Sequence, residues 1–139
     1  MRIRRDQKLD LIKDVPLFSR CSRSELEQIA AIADEIDLPE GKELTREGGV
    51  GREFFVLVEG RADVRKEGQK VNELGDGDFF GEIALVSDVP RTATVVATAP
   101  ARALVMRGSD FKSLLRKQPE IQMKVLEALA DRLSHDEQA

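Results

Sequence analysis

At 139 residues the chain suits a single domain, 1–139, with a substantial core and little room for a second. Its 22 Lys and Arg against 26 Asp and Glu give a net charge of −4, which disfavours a polyanion-binding surface, so no direct nucleic-acid partner is expected. No apolar run approaches the length of a membrane span and the start MRIRRDQKLD lacks the apolar centre of a secretory signal, so a soluble, cytoplasmic chain is expected.

Arg2, Arg4 and Arg5 form a small basic cluster, read as a solvated terminus rather than an arm for DNA or lipid. Leu9, Ile12 and Val15 then predict a short amphipathic helix ending before Pro16. Cys21 stands alone, which excludes an internal disulfide and a cysteine-based zinc or iron–sulfur centre and leaves it as a packing residue. Ser22 with Glu25 reads as a capping box opening a second helix, with Leu26, Ile29, Ala30 and Ala33 on one face.

After Pro39 the rhythm changes, and glycines interrupt short segments such as FFVLV and RADVRK, the pattern of strands and tight turns. Gly75 and Gly77, in GDGDFFGE, are read as turn residues first and as ligand contacts second. Small and β-branched residues from Thr92 to Arg107, split by Ala99-Pro100, predict a strand pair closing the sheet. Helical spacing returns with Phe111, Leu114 and Leu115, and again after Pro119, where Leu126, Leu129, Ala130 and Leu133 make one stripe. The only histidine, His135, is four residues from the end, so neither a histidine triad nor a histidine-rich metal site is expected in the core.

The stretch Phe80 to Thr94, FGEIALVSDVPRTAT, carries the chemistry. Arg91 offers a planar, permanently charged fork that can take two phosphate oxygens together. Gly81 has no Cβ, so backbone there can come close to a ligand, and the amides of Glu82, Ile83 and Ala84 would open a short helix whose N-terminus is itself an anion site. Glu82 would repel a phosphate unless it accepts hydrogen bonds from a neutral part of the same ligand, and ribose hydroxyls are such donors. Gly-Glu before apolar residues is common, and a lone Pro-Arg can be a turn with a solvated arginine. It is the two in order that are specific.

This segment resembles the cyclic nucleotide-binding domain family, that of the catabolite activator protein and of the regulatory subunits of cyclic AMP-dependent kinase. The resemblance covers residues 9 to 134 in outline. It implies a mainly β fold with flanking helices: a jelly-roll-like β-roll or barrel between an N-terminal helical bundle and two C-terminal helices. It also implies that Glu82 holds the ribose 2′-hydroxyl and Arg91 the cyclic phosphate. Backbone near Phe80, Gly81, Ile83, Ala84 and Ala93 would complete the cradle, and Thr92 would face phosphate and base.

Cyclic AMP is expected over cyclic GMP. A threonine after the arginine is associated with cyclic GMP in kinases of the family but is not decisive in compact bacterial members, which this chain resembles. For a cap over the base the chain has no Trp or Tyr, which leaves Leu129, Arg132 and Leu133, with helix packing the competing use of the leucines. The expected activity is a binding module, not an enzyme, with no cofactor or metal, whose C-terminal helices shift on ligand binding and act on an unknown protein effector. Neither the long dimer helix nor the helix-turn-helix of transcription-factor members is expected within these residues. The initial Met and the tail SHDEQA favour a stand-alone sensor over a fragment, as a monomer or weak homodimer. A cupin-like enzyme lacks its histidines, and a nucleoside triphosphatase lacks GxxxxGK followed by Ser or Thr. The alternative functions are an orphaned fold serving as a protein-interaction scaffold and a sensor that prefers cyclic GMP.

Overall fold

The computed structural model describes residues 4–137, without the side chains of Val89, Arg132 and the residues from 135 on. Arg2 of the basic cluster and the His135 side chain therefore lie outside the described residues, while Arg5 pairs with Glu27 at 2.8 Å. Helix α1 (Arg5–Lys13) buries Leu9 and Ile12 and stops before Pro16, which opens a 3-10 turn, Pro16–Phe18. Helix α2 (Arg23–Ala31) begins with the predicted capping box: the Glu25 amide donates to the Ser22 hydroxyl at 3.2 Å and the Ser22 amide to the Glu25 carboxylate at 2.8 Å.

Ala33 does not continue this helix face, as its spacing predicts; it opens strand β1 (Ala33–Leu38), which the sequence reading places in no strand. Asp34, Glu35 and Asp37 hide the strand from a propensity argument, and its edge pairing decides the matter. The strands that follow are β2 (Glu43–Thr45), β3 (Val50–Gly51), β4 (Glu53–Glu59), β5 (Ala62–Lys66) and β6 (Gln69–Leu74). Then come β7 (Phe79–Phe80), β8 (Val89–Pro90), β9 (Thr94–Ala97) and β10 (Ala101–Arg107), before helices α3 (Gly108–Lys117) and α4 (Pro119–Glu137).

One four-stranded sheet runs β1-β10-β4-β7, a second β2-β9-β5-β6, and β3 pairs β8 as a ribbon, all antiparallel. The expected mainly β fold with flanking helices is present, with the two sheets not closed into a barrel. The predicted pairing of the last two strands is corrected: β9 joins β5 and β2, whereas β10 joins β1 and β4. The Ala99-Pro100 break carries the chain from one sheet to the other.

Alternation along β4 makes two cores. Phe54 and Val56 face the helices with Phe18, Leu104, Met106, Phe111 and Ile121, while Leu57 faces Ala62, Val95, Ala97 and Ala103 of the other layer. Aromatic contacts fasten both sides. Phe18 lies 5.7 Å from Phe111 and 6.3 Å from Phe54, and Phe54 lies 6.0 Å from Phe79, while Phe55 stacks on its cross-strand partner Phe80 at 5.0 Å.

The stripe of α4 is also corrected. Ile121, Val125 and Ala128 are buried and Leu129 is half-buried, whereas Leu126, Ala130 and Leu133 are exposed. The buried set follows the same helical period, rotated so that it meets α3 and the Pro16–Phe18 turn. Ion pairs add to this docking: Arg20 reaches Asp131 at 2.7 Å and Glu127 at 3.5 Å, and Lys124 bonds the buried Glu25. Cys21 beside them is half-buried, and burial, helped by Glu25, pushes its thiol up to about 11, as suits a packing residue.

Burial raises the Glu25 carboxyl, but the Lys124 ammonium and the Ser22 donors outweigh it and hold it below the ordinary value of 4.5. Because the folded value is depressed, the stabilisation is complete above the unfolded carboxylate value and is lost as pH falls through the lower folded one. Glu25→Gln should therefore lower the melting temperature at pH 7, with the gap to wild type closing in melts taken on the acid side of pH 4.

Candidate nucleotide-binding site

The cassette starts on β7, where Phe79 and Phe80 pair with Val56 and Phe55. Gly81 then turns left-handed (φ 81°, ψ 17°) and caps a 3-10 turn, Glu82–Leu85. Leu85 anchors the turn in the helix-side core with no exposure, and Ala84 is buried. Ile83 is 42% exposed and faces outward, while Glu82 is only 7% exposed, a rare setting for a carboxylate. The Ala84 amide donates to the Gly81 carbonyl at 3.1 Å, inside the turn. Among the described residues, the amides of Ile83 and Ala93 make no backbone hydrogen bond.

The second half of the cassette is held by a segment some forty residues earlier. Val89 and Pro90 pair with Gly51 and Val50, the Arg91 amide donates to the Gly49 carbonyl at 2.7 Å, and the Gly48 amide donates to the Arg91 carbonyl at 2.8 Å. Thr45 Oγ1 donates to the Ala93 carbonyl at 3.1 Å, and the Glu47 amide donates to Thr94 Oγ1 at 2.9 Å. Thr92 remains exposed between these clamps.

The Arg91 side chain is half-buried, and its Nη2 donates to the Glu53 carbonyl. Burial pulls this guanidinium below the ordinary arginine value while the Glu53 carboxylate acts the other way; it keeps its charge at physiological pH. Two glycines make room for it. A Cβ on Gly51 would stand 2.7 Å from Nε, and one on Gly81 would collide with Nη1 and come within 2.9 Å of the Glu53 oxygen. The sequence reading reserves Gly81 for close approach to a ligand. Its nearest neighbour is the Arg91 guanidinium itself, so this glycine serves the arginine as well as the turn.

The sequence profile described as the cyclic nucleotide-binding domain matches residues 35–118, more than half of the chain. The chain belongs to the cyclic nucleotide-binding domain family. It is 40% identical over 111 residues to a cyclic nucleotide-gated potassium channel of Rhizobium etli, covering 80% of this chain and 31% of the channel. It is 41% identical over 116 residues to a cyclic AMP-dependent protein kinase regulatory subunit of Mycosarcoma maydis, covering 75% of this chain and 22% of that protein. This cyclic nucleotide-binding domain thus spans less than a third of these curated relatives. Among solved structures, the N-terminal domain of a transcriptional regulator from Streptomyces coelicolor superposes with a TM-score of 0.86 at 27% identity, covering 94% of this chain and 96% of that one. Cyclic nucleotide-binding domains are regulatory binding modules.

The structure thus brings Phe80, Gly81, Glu82, Ile83 and Ala84 to one turn and Arg91, Thr92 and Ala93 to the adjoining loop. The three cap candidates are on α4. Leu129 packs against the helix-side core, Leu133 is 63% exposed, and the Arg132 side chain is outside the described residues. Sequence reasoning also missed Gly51 and the Glu53 carbonyl, which seat Arg91. The GGVG run, Gly48 to Gly51, was a turn signal with nothing to tie it to a segment forty residues on.

These contacts predict a non-additive mutant set. Gly81→Ala should cost about 1–2 kcal/mol for the left-handed backbone alone, plus the displaced arginine, whereas Gly75→Ala, whose Cβ would meet nothing within 4 Å, should cost little. Gly51 has no such backbone strain, so the cost of Gly51→Ala should largely disappear in an Arg91→Ala background, as denaturant midpoints of the four proteins will report.

Proposed function

We propose that this chain is a cyclic nucleotide sensor that prefers cyclic AMP to cyclic GMP and passes the signal to a separate protein through its C-terminal helices. The observation that carries the reading is Arg91, a charged fork seated against bare backbone at Gly51 and Gly81, next to a turn that carries buried Glu82. Arg91 takes the cyclic phosphate, giving up a neutral carbonyl for an anion, and charge-assisted bonds are the stronger kind. Glu82 accepts the ribose 2′-hydroxyl, and the amides of Ile83 and Ala93 turn toward phosphate oxygens. The preference for cyclic AMP is supported by the relatives named as cyclic AMP-dependent kinase regulatory subunits. Thr92, exposed beside the phosphate position, is the residue through which the base would be sensed.

The output follows from linkage: a ligand shifts an equilibrium only by binding one conformation better than the other. α4 is fastened by Arg20 and Lys124 pairs of which the first is solvent-exposed, and such pairs contribute little each. We assign α4 as the moving element, with Leu129 leaving its packing site to close over the base. No described helix is long and apolar enough to cross a membrane, and no described cluster of His, Cys, Asp and Glu could hold a metal.

Calorimetric titration of the chain, unfolded and refolded to strip nucleotide, with cyclic AMP, cyclic GMP and linear AMP tests this. Saturable binding of cyclic nucleotides is expected, tightest for cyclic AMP. Arg91→Ala should lose about 2–4 kcal/mol of binding and Glu82→Ala about 1–3. Unchanged affinity in both variants would sink the site. Absence of binding to a folded protein would leave the scaffold reading in its place.

A further inference from the structure

Behind the cassette lies a cleft of about 640 Å³ lined by Arg52, Glu53, Ala84, Asp88, Arg107, Gly108, Ser109, Lys112 and Arg116. Four cations face two carboxylates there, in a chain whose net charge is −4. Only one weak pair is made, Lys112 with Asp88 at 3.9 Å; among the described residues, Arg52, Arg107 and Arg116 make no ion pair. Elsewhere the surface arginines are engaged: Arg5 with Glu27, Arg20 with Asp131, Arg46 with Glu43, Arg61 with Glu73 and Arg102 with Asp37. Arg52, Arg107 and Arg116, with no ion pair among the described residues, are thus gathered in one concavity, and none of them belongs to the proposed cyclic nucleotide site.

We infer that this cleft, formed by Arg52, Arg107, Lys112 and Arg116, docks a short acidic peptide segment of a partner protein. Arginine forks take carboxylates in pairs, and three of them around one cleft suit a run of Asp and Glu. Length is what separates this occupant from a long polyanion. Beyond a Debye length of about 8 Å at physiological salt a short segment senses mainly the local cations, whereas nucleic acid or an anionic membrane extends over the acidic remainder of the surface.

The cleft shares its wall with the nucleotide site. The Arg52 carbonyl accepts from the Gly108 amide at 2.8 Å, the next carbonyl, Glu53, accepts from Arg91, and a Cβ on Gly108 would stand 2.8 Å from the Ala84 carbonyl. Movement of Arg91 toward a phosphate would release the carbonyl of Glu53, itself a lining residue of the cleft. Nucleotide and peptide are then linked, and this part of the inference rests on the proposed nucleotide reading, whereas docking itself does not.

Fluorescence anisotropy with a labelled octapeptide of alternating Glu and Asp tests docking on the full chain. Saturable binding is expected, weakened about tenfold or more by Arg107→Glu with Arg116→Glu and unchanged by Arg61→Glu at a distant paired site. Equal loss in both variants, no saturation, or tighter binding of a single-stranded oligonucleotide or anionic vesicle of matched charge overturns it. A melting curve and calorimetry with cyclic AMP on the double variant show that fold and nucleotide site survive. A peptide affinity that shifts with saturating cyclic AMP in wild type supports the link, and an unshifted one with nucleotide bound overturns the link. If wild type takes the peptide and not the nucleotide, docking stands and the nucleotide reading falls.

Discussion

A guanidinium can lie flat against two stretches of main chain only where neither carries a Cβ at the point of approach, and Arg91 meets that condition at Gly51 and Gly81. Much of the cassette is arranged around this one seat. The ribbon of β3 and β8 sets the height of Arg91 on the roll, and the Gly49 and Gly48 backbone bonds fix its φ and ψ neighbourhood. The left-handed turn at Gly81 then brings the Glu82–Leu85 segment alongside, with Leu85 sunk in the helix-side core to hold it. A positive charge is stored beside a neutral carbonyl, an interaction strong enough to place it and weaker than the bond an anionic phosphate would offer.

The same short piece of chain ties the cassette to the helices. Carbonyls of Arg52 and Glu53, adjacent in sequence, serve the N-terminus of α3 and the guanidinium of Arg91 respectively. β4 continues from this point with Phe54 facing the helices and Phe55 facing Phe80. Through these contacts Arg91 is connected on one side to α3 and on the other to the Phe55 and Phe80 stack at the start of the cassette. This gives the proposed output a contiguous set of contacts, with α3 packed on α4 at its far end.

Local signals in the sequence fared well where the physics is local. The capping box at Ser22 and Glu25, the stop before Pro16 and the glycine-capped turn at Gly81 each depend on a few neighbouring residues. Strand β1 was missed because Asp34, Glu35 and Asp37 give it the look of a solvated loop, and only its register with β10 makes it a strand. The Thr92 to Arg107 region reads correctly as strands, which run from Thr94, and wrongly as a pair, since alternation says nothing about which sheet a strand joins. On α4 the apolar residues outnumber those that one face can bury, so Leu126 and Leu133 fitted a stripe as well as Ile121 and Val125 did. Packing against the Pro16–Phe18 turn chose between them. For the candidate site, the motif order of Glu82 and Arg91 names two residues that the fold brings to adjoining segments, whereas Gly51 and Glu53 act through backbone positions whose partners lie far along the chain.

The most direct test of the central role of Arg91 is its own guanidinium signal. In nitrogen-15 spectra of arginine side chains, the resonance that disappears in Arg91→Lys identifies it, and it can be followed during a cyclic AMP titration. The account predicts a large downfield displacement of its Nε–Hε proton and slowed exchange of its Nη protons as phosphate replaces the Glu53 carbonyl. Saturation of the protein by cyclic AMP with that resonance unmoved would contradict it.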